Sequence, residues 1–300
     1  MYVILGASGN TGSIVANTLL DHGKRLKAVG RDIRKLEPLV DRGAEPFIGD
    51  LTDAEALRRA FTGAEAVYAM TPPNPTSENY RAYQDSVTNA VASAIEATGM
   101  KYVVTLSSVG ADKPEKTGPV VGLHYMESRF ADIAEINVLH LRAGYFMENT
   151  LPHATVIRQF GMMAGPLFAD LPLPMIASKD IGAAAADALL HFNFNGQSSR
   201  ELLGQRDVTY AEVARIVGTA IGKPALAYVQ MGAEQMILAM TQMGMSRNFA
   251  SLICEMADAL NAGYMRALEP RSERNTTPTS YETFVQDAFL PAYKGQVAGA

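Results

Sequence analysis

Short runs rich in apolar residues alternate with helical patterns through the first half of the chain. The runs occur at residues 2–5, 26–29, 46–50, 66–70 and 102–106. Apolar residues at helical spacing lie between them, most clearly after residue 12 and over residues 80–97. Strands that alternate with helices in this way predict an α/β fold with one doubly wound parallel sheet.

The second half is less regular. Residues 1–150 are expected to form a dinucleotide-binding domain to which residues 176–205 return, while 151–175 and 206–300 form a smaller, mostly helical lobe. Prolines and glycines between residues 152 and 174 indicate an irregular segment able to cover a site. Methionines are frequent in the lobe, and those from Met231 to Met245 are the best candidates to line an adaptable apolar pocket, although methionine at helical spacing usually belongs to a core.

A glycine-rich turn follows the first apolar run directly. Its residues are Gly6, Ala7, Ser8, Gly9, Asn10, Thr11 and Gly12. Gly6 permits a sharp turn off the strand, Gly9 a close approach to phosphate, and Gly12 close packing of the helix on the sheet. The spacing alone is weak evidence and also fits a turn without a ligand, but the strand before it and the helix after it favour a dinucleotide diphosphate at the helix N-terminus.

The end of the second strand bears on the choice of coenzyme. An acidic residue there binds the free 2′-hydroxyl of NAD, whereas this chain has Gly30 followed by Arg31. The planar guanidinium suits a 2′-phosphate, so NADP(H) is expected in preference to NAD(H), with Arg34 or Lys35 assisting. If Asp32 faced the ribose instead, the preference would weaken or reverse.

Further coenzyme contacts are expected where later strands end. Asp50 and Leu51 fall where adenine would lie, although Asp50 fits a loop or capping carboxylate equally well. Thr52 to Glu55 has the form of a capping box that begins the next helix. The fourth strand ends at Met70, Thr71 and Pro72, on the sheet edge that faces the coenzyme.

Together these residues resemble the NmrA-like group of atypical short-chain dehydrogenases/reductases. The resemblance is carried by the glycine turn, Gly30-Arg31-Asp32, residues 47–51, residues 70–72, Ser107-Ser108, residues 141–149 and residues 210–214. It implies a Rossmann-type domain with a smaller C-terminal lobe and NADP(H) across the sheet edge. It also implies that residues 141–149, including Gly144, Tyr145 and Phe146, run beside the nicotinamide, and that Ser107 contributes to the coenzyme site.

The usual catalytic Tyr-x-x-x-Lys motif of short-chain dehydrogenases is altered here. Tyr125 is present, but Arg129 stands at the lysine position, and Glu127 between them opposes a lowered tyrosine pKa. Tyr125, His124, Ser107 and Ser108 remain the candidates to orient an acceptor or relay a proton. A conjugated aromatic acceptor spreads the incoming charge and needs no strong acid, so the broken motif favours a quinone, an azo compound or a related dye.

Two functions therefore remain open. One is an NADPH-dependent reductase that transfers hydride directly to such an acceptor. The other is a catalytically silent NADP(H)-binding redox sensor that acts through a protein partner, since relatives of both kinds belong to the group. The broken tyrosine motif fits both.

Composition restricts the cellular context. The net charge of −5 disfavours nucleic acid as a partner, and the single cysteine, Cys254, fits a reducing cytoplasm. No apolar run has the roughly 20 residues that a membrane span needs, and the five histidines lack the spacing of metal ligands. A small aromatic substrate is the expected partner, and the sequence leaves open whether the chain forms a homodimer.

Overall fold

The computed structural model describes residues 1–295, which fold around one large parallel sheet. The strands are β1 (Tyr2–Leu5), β2 (Leu26–Gly30), β3 (Glu45–Ile48), β4 (Ala66–Ala69), β5 (Tyr102–Ser108), β6 (Asn137–Ala143), β7 (Tyr145–Phe146), β8 (Met163–Gly165), β9 (Leu173–Ile176), β10 (Gln197–Leu202), β11 (Asp207–Val208) and β12 (Tyr228–Gln230). Seven of these strands within residues 1–295 form the main sheet in the order β10-β6-β5-β4-β1-β2-β3.

Helices cover both faces of this sheet and build the rest of the molecule. They are α1 (Asn10–Asp21), α2 (Glu37–Val40), α3 (Ala54–Phe61), α4 (Tyr80–Thr98), α5 (Val121–Ala131), α6 (His153–Phe160), α7 (Ser178–His191), α8 (Tyr210–Ala220), α9 (Ala233–Gln242), α10 (Arg247–Asn261), α11 (Tyr281–Phe284) and α12 (Leu290–Tyr293). One apolar core lies between the sheet and α1 and α7, and a second between the sheet and α3, α4 and α5. The predicted Rossmann-type doubly wound sheet is thus confirmed.

The strand order determines where a ligand can lie. β1 pairs with β2 on one side and with β4 on the other, and all strands of the main sheet are parallel. The connection therefore reverses direction between β1 and β4. Ligands of open parallel sheets bind outside the carboxyl ends of the strands at such a reversal. The glycine turn and the end of β4 flank it here.

The predicted strands lie close to the observed ones, but the start of α3 differs. Its N-cap is Asp53, whose carboxylate accepts hydrogen bonds of 3.0 Å from the backbone N–H groups of Glu55 and Ala56. Thr52 instead donates to Asp50, so the capping box predicted from Thr52 and Glu55 does not form. The helix begins one residue later than that box implies.

Residues 178–202 return to the main sheet after the excursion that follows β6. α7 packs along α1 so closely that a Cβ on Gly182 would lie 2.6 Å from Ile14. β10 then pairs in parallel with β6 and forms the edge of the sheet. The amino ends of α1 and α7 consequently lie side by side at the same edge of the sheet.

The remaining elements pack around a separate core. This core draws on α6, α8 and the C-terminal helical segment, in which α11 continues through a π-helical turn into α12. Two small sheets, β11-β9-β7 and β12-β8, join it to the rest of the chain. None of the helices in residues 1–295 is long and apolar enough to cross a membrane.

Candidate active site

The glycine turn leaves no room for side chains at its critical positions. Gly6 has a positive φ of 62°, and the Gly9 N–H donates to the Gly6 carbonyl at 2.8 Å. A Cβ on Gly12 would lie 2.3 Å from that same carbonyl oxygen. Gly12 is therefore required because the start of α1 lies directly against the backbone of Gly6. This contact, rather than packing of the helix on the sheet, excludes a side chain at Gly12.

Backbone N–H groups at the start of α1 are available to an anion. Within residues 1–295, the N–H groups of Asn10, Thr11 and Gly12 have no backbone acceptor, and Gly9 caps the helix without a side chain. The Thr11 side chain is buried, and its hydroxyl accepts from Tyr68 at 2.8 Å. Uncapped amides at the positive end of a helix dipole fit a diphosphate.

Arg31 is the exposed cation that follows β2. Its guanidinium has neither an ion pair nor a hydrogen bond with any residue in 1–295, and its charge lowers the pKa of Asp50 in addition to the larger effect of the hydrogen bonds from Thr52. Arg31 and Asp50 are thus near each other at the ends of β2 and β3. An unpaired guanidinium at this place fits a phosphate group.

Asp32, the residue on which the coenzyme prediction depended, is turned onto Arg34. Its Oδ1 accepts from the Arg34 backbone N–H at 3.1 Å and from Nε at 3.0 Å, and its Oδ2 accepts from Nη2 at 2.8 Å. The side-chain and backbone hydrogen bonds from Arg34 lower the pKa of Asp32. Arg34 thereby occupies the carboxylate that would otherwise be free to repel a 2′-phosphate.

Asp50 and Leu51 are less open than the sequence suggests. Oδ1 of Asp50 accepts from both the amide and the hydroxyl of Thr52 at 2.8 Å, which leaves Oδ2 for a ligand. Leu51 is 7% exposed and packs in the core beside α3 and α4. The Asp50 carboxylate therefore stabilises the loop before α3, which fits its alternative interpretation as a loop carboxylate. Leu51 presents little side chain to a ligand.

The end of β4 lies over the glycine turn. Met70 packs directly on Gly6: a Cβ added to Gly6 would lie only 2.8 Å from the Met70 sulfur. Thr71 reaches the cleft described below, and the Pro72 carbonyl accepts from the Tyr83 hydroxyl at 3.1 Å. Residues 70–72 consequently connect the glycine turn with the cleft.

A largely apolar cleft of about 580 Å³ opens at the carboxyl edge of the sheet. Its walls come from the ends of β4, β5 and β6, the start of α4 and α5, the segment before β9, and the chain after α10. Six of the predicted site residues lie together in it: Thr71, Ser107, Ser108, Gly144, Tyr145 and Phe146. A cleft of this size and lining suits a flat aromatic ligand.

The side chains of Tyr125 and Arg129 face away from this cleft. The Tyr125 hydroxyl donates to Asn89 at 2.9 Å, and the Arg81 guanidinium lies 5.5 Å from the centre of its ring. Arg129 pairs with Glu96 at 2.9 Å. These partners belong to α4, so the structure does not place the Tyr-Arg pair where it could donate a proton to a ligand in the cleft.

His124 is also held outside the cleft. Its Nδ1 lies 2.8 Å from the carbonyl oxygen of Ala111. A carbonyl oxygen only accepts, so Nδ1 carries the proton in this contact and Nε2 does not in the neutral ring. The bond ties α5 to the loop after β5, which is a structural role.

Ser107 and Ser108 have different surroundings although they are neighbours. The Ser108 hydroxyl donates to the adjacent Val109 carbonyl at 2.9 Å, whereas the buried Ser107 donates to Oε1 of Glu127 at 2.6 Å. Arg142 donates to the same carboxylate through Nε at 3.0 Å and Nη2 at 2.5 Å. Glu127 and Arg142 were not among the predicted site residues, although an arginine inside the apolar run of β6 is a signal for a buried acidic partner.

Tyr145 and Gly144 connect the cleft with the smaller lobe. The Tyr145 hydroxyl lies 3.0 Å from that of Tyr210, and burial raises the pKa of both phenols. Gly144 is constrained by packing, because a Cβ there would lie 2.2 Å from the Pro174 carbonyl oxygen. Tyr145 therefore stays protonated in the cleft wall, and Gly144 allows β9 to approach the end of β6.

The methionines that line the cleft are not the best candidates from the sequence, Met231 to Met245. Met256 and Met265 contribute to its outer wall. Met231, Met236, Met240 and Met245 instead pack with Ala250 and Cys254 in a small core between α9 and α10. The choice of Met231 to Met245 as the best candidates to line the pocket is thus not supported for this cleft. The irregular segment before β9 does reach the cleft through Leu171 and Pro172.

The family model for the NmrA-like family matches residues 2–285, and the chain belongs to this family. It is 31% identical to the NAD(P)H azoreductase of Xenophilus azovorans over 269 residues, which are 89% of this chain and 87% of that relative. The chain is thus similar, over most of its length, to an NAD(P)H-dependent oxidoreductase.

Solved structures share the same fold. The NADPH-dependent quinone oxidoreductase QOR2 of Escherichia coli, solved with NADPH, has a TM-score of 0.81 at 22% identity and covers 96% of this chain and 100% of its own. The triphenylmethane reductase of Citrobacter sp., solved with NADP(H), has a TM-score of 0.80 at 18% identity and the same coverage. At these identities the likeness shows the fold.

Proposed function

We propose that this protein is an NADPH-dependent reductase of conjugated aromatic acceptors such as quinones or azo compounds. The observation that carries the proposal is the arrangement along one sheet edge of three features: uncapped amides at the start of α1, the unpaired Arg31, and the apolar cleft. The relatives, an azoreductase and quinone and triphenylmethane reductases, support the same class of reaction.

The residues present fit NADPH at both phosphate positions. The amides of residues 10–12 would hold the diphosphate, and Arg31 would hold the 2′-phosphate while Arg34 keeps Asp32 away from it. When bound, NADPH supplies the hydride that reduces the acceptor. Binding by a charged phosphate contact supports a preference for NADP(H) over NAD(H).

The chain's own contribution to the reaction is positioning and exclusion of water. Apolar walls hold a flat acceptor at the sheet edge, where orientation lowers the barrier by limiting the motions of the reactants. The polar groups of this wall include the hydroxyls of Ser108 and Tyr145. The raised pKa of Tyr145 keeps the proton on its phenol. The Ser108 proton is bonded to the Val109 carbonyl, and the Tyr145 phenol is a weak acid, so neither hydroxyl is a strong acid for a ligand. This suits an acceptor that delocalises charge and does not suit a simple ketone, whose alkoxide needs a strong acid.

The proposal is tested by mixing the purified protein with NADPH and a panel of quinones, azo dyes and triphenylmethane dyes. Loss of the nicotinamide absorbance together with product formation is the expected result with at least one class. The matched control is the same panel with NADH, which should react more slowly at equal concentration. Binding of NADPH without turnover of any acceptor would contradict the reductase and favour the redox sensor.

A Tyr125→Phe substitution should change turnover with a quinone by less than about threefold. The hydroxyl that it removes bonds to Asn89 on α4 and lies outside the cleft, whereas a general acid contributes about 10²- to 10⁴-fold. The measurement is the steady-state rate with NADPH and quinone, beside the melting temperature of the variant. A loss of a hundredfold in a folded variant would show that Tyr125 is the acid after all.

A further inference from the structure

A buried hydrogen-bond network lies behind the cleft at the ends of β5 and β6. Ser107 is 2% exposed and contributes to the cleft wall. Its hydroxyl donates to Glu127 on α5 at 2.6 Å, and the Arg142 guanidinium on β6 donates to both oxygens of that carboxylate. The side chains of Arg142 and Glu127 are only 15% and 11% exposed, so this is a largely desolvated ion pair.

The charges of this network are held in one state. Burial alone would raise the pKa of the Glu127 carboxyl, but the hydrogen bond from Arg142, the nearby His140 and the hydrogen bond from Ser107 lower it below its usual range. Burial lowers the pKa of the neighbouring His140 to about 4, so this ring is neutral. Arg142 is therefore the cation that keeps Glu127 ionised, and an ionised carboxylate can only accept hydrogen bonds.

This arrangement decides what Ser107 can offer to a ligand. A serine hydroxyl has one proton and two lone pairs, and the Ser107 proton is committed to an anion at short distance. Within residues 1–295, no group donates to the Ser107 oxygen. Ser107 is thus unable to act as the proton donor that the sequence allowed, and it retains lone pairs as its remaining hydrogen-bonding capacity.

We propose that Ser107, oriented by Glu127 and Arg142, is an acceptor-only site in the cleft that selects a ligand bearing an N–H or O–H donor. The proposal rests on the proposed function, because that function puts ligands against the end of β5. The donor has two sources: the carboxamide of the nicotinamide, or an amino or hydroxyl group on the aromatic acceptor. Glu127 and Arg142 are positioning residues, since they act through Ser107.

Two pairs of ligands distinguish the sources. NADPH is compared with its reduced 3-acetylpyridine analogue, which has a methyl ketone where NADPH has the carboxamide. 4-Aminoazobenzene is compared with azobenzene, on protein saturated with NADP⁺ so that no turnover occurs. Dissociation constants come from calorimetry for the coenzymes and from fluorescence quenching for the azo compounds.

Ser107→Ala should weaken the donor-bearing member of one pair by about 3- to 10-fold, the range expected for one hydrogen bond. The member without a donor should change less than twofold. A loss confined to NADPH assigns the donor to the coenzyme, and a loss confined to 4-aminoazobenzene assigns it to the acceptor. Equal changes within both pairs, or no change in either, would overturn the proposal.

Ser198→Ala is the matched control. Ser198 lies in the same sheet but away from the cleft. Its hydroxyl donates to the backbone carbonyl of Val138 at 3.0 Å. All four ligands should bind this variant as they bind the unmodified protein. If the unmodified protein binds neither coenzyme, the proposed function fails, while the azo pair still tests Ser107 on the protein without NADP⁺.

A double substitution tests the positioning role. Glu127→Leu with Arg142→Met replaces the buried ion pair by apolar side chains of similar size, an exchange that folded proteins tolerate better than loss of one partner. The Ser107 hydroxyl then becomes free to donate, so the preference for donor-bearing ligands should fall to less than twofold. A folded double variant that keeps the original preference would show that the pair does not orient Ser107. If the double variant does not fold, the Ser107→Ala comparison alone decides the proposal.

Discussion

Gly12→Ala should weaken the binding of NADPH by about a hundredfold or more. The added Cβ would lie 2.3 Å from the Gly6 carbonyl oxygen and 2.8 Å from its carbon, distances that real side chains do not tolerate. The turn must therefore move away from α1, and the amides of residues 10–12 lose their common direction. Loss of two charged hydrogen bonds at about 1.5 kcal/mol each gives about 3 kcal/mol, which is roughly a hundredfold.

The measurement is the dissociation constant of NADPH by titration calorimetry, with the melting temperature recorded for each variant. Gly232→Ala is the matched control, because a Cβ there would meet no atom within 4 Å and its φ of −67° suits alanine. The control should bind NADPH normally. Tight binding by a folded Gly12→Ala protein would mean that the diphosphate is not held by this turn, and the coenzyme site would have to lie elsewhere.

The parts of the fold that were predictable are those fixed by local sequence. A strand of a parallel sheet is buried on both faces, so residues such as Val3, Ile4 and Leu5 form a continuous apolar run that is recognisable in the sequence. The glycine turn is similarly local, since its constraints act between residues six positions apart. The pairing of β10 with β6 joins segments that are far apart in the chain, and no local pattern shows such a pairing.

The candidate catalytic residues on α5 were less predictable because their surroundings depend on which side of this helix faces the cleft. Tyr125 and Glu127 are two residues apart, and on a helix such residues point in different directions. The sequence alone does not show that α4 covers Tyr125 through Asn89, nor that Glu127 turns toward Ser107 and Arg142. The motif therefore drew attention to the tyrosine, while the residue with contacts behind the cleft is the glutamate.

The methionines failed as a guide for a related reason. Met240 and Met265 are both buried, at 8% and 5% exposure, yet only Met265 lies at the cleft. The difference arises from the chain after α10, which crosses the sheet edge and places Met265 against Gly110. An apolar residue type indicates that the side chain is buried. Whether it is buried in a core or in a pocket wall depends on which element packs against it, and only the tertiary structure shows that.

Arg31→Ala should weaken NADPH by about 1.5–3 kcal/mol, roughly 10- to 150-fold, and leave NADH nearly unchanged. Arg31 is exposed at the end of β2 and has no partner of its own within residues 1–295. Its charge is therefore available for the 2′-phosphate, which only NADPH carries. Calorimetry with both reduced coenzymes measures the effect as a change in their ratio of affinities, and raised salt should diminish it because the contact is exposed.

Arg34→Ala is the comparison that makes the result specific. Arg34 is three residues away, is also exposed, and is committed to Asp32 through its Nε and Nη2 groups. Its removal should lower the NADPH preference less than removal of Arg31, and only by releasing the Asp32 carboxylate. Adding Asp32→Asn to Arg34→Ala should then restore most of the preference, whereas an undiminished loss would mean that Arg34 itself contacts the phosphate. Equal losses of NADPH and NADH in Arg31→Ala would remove the phosphate role from Arg31 altogether.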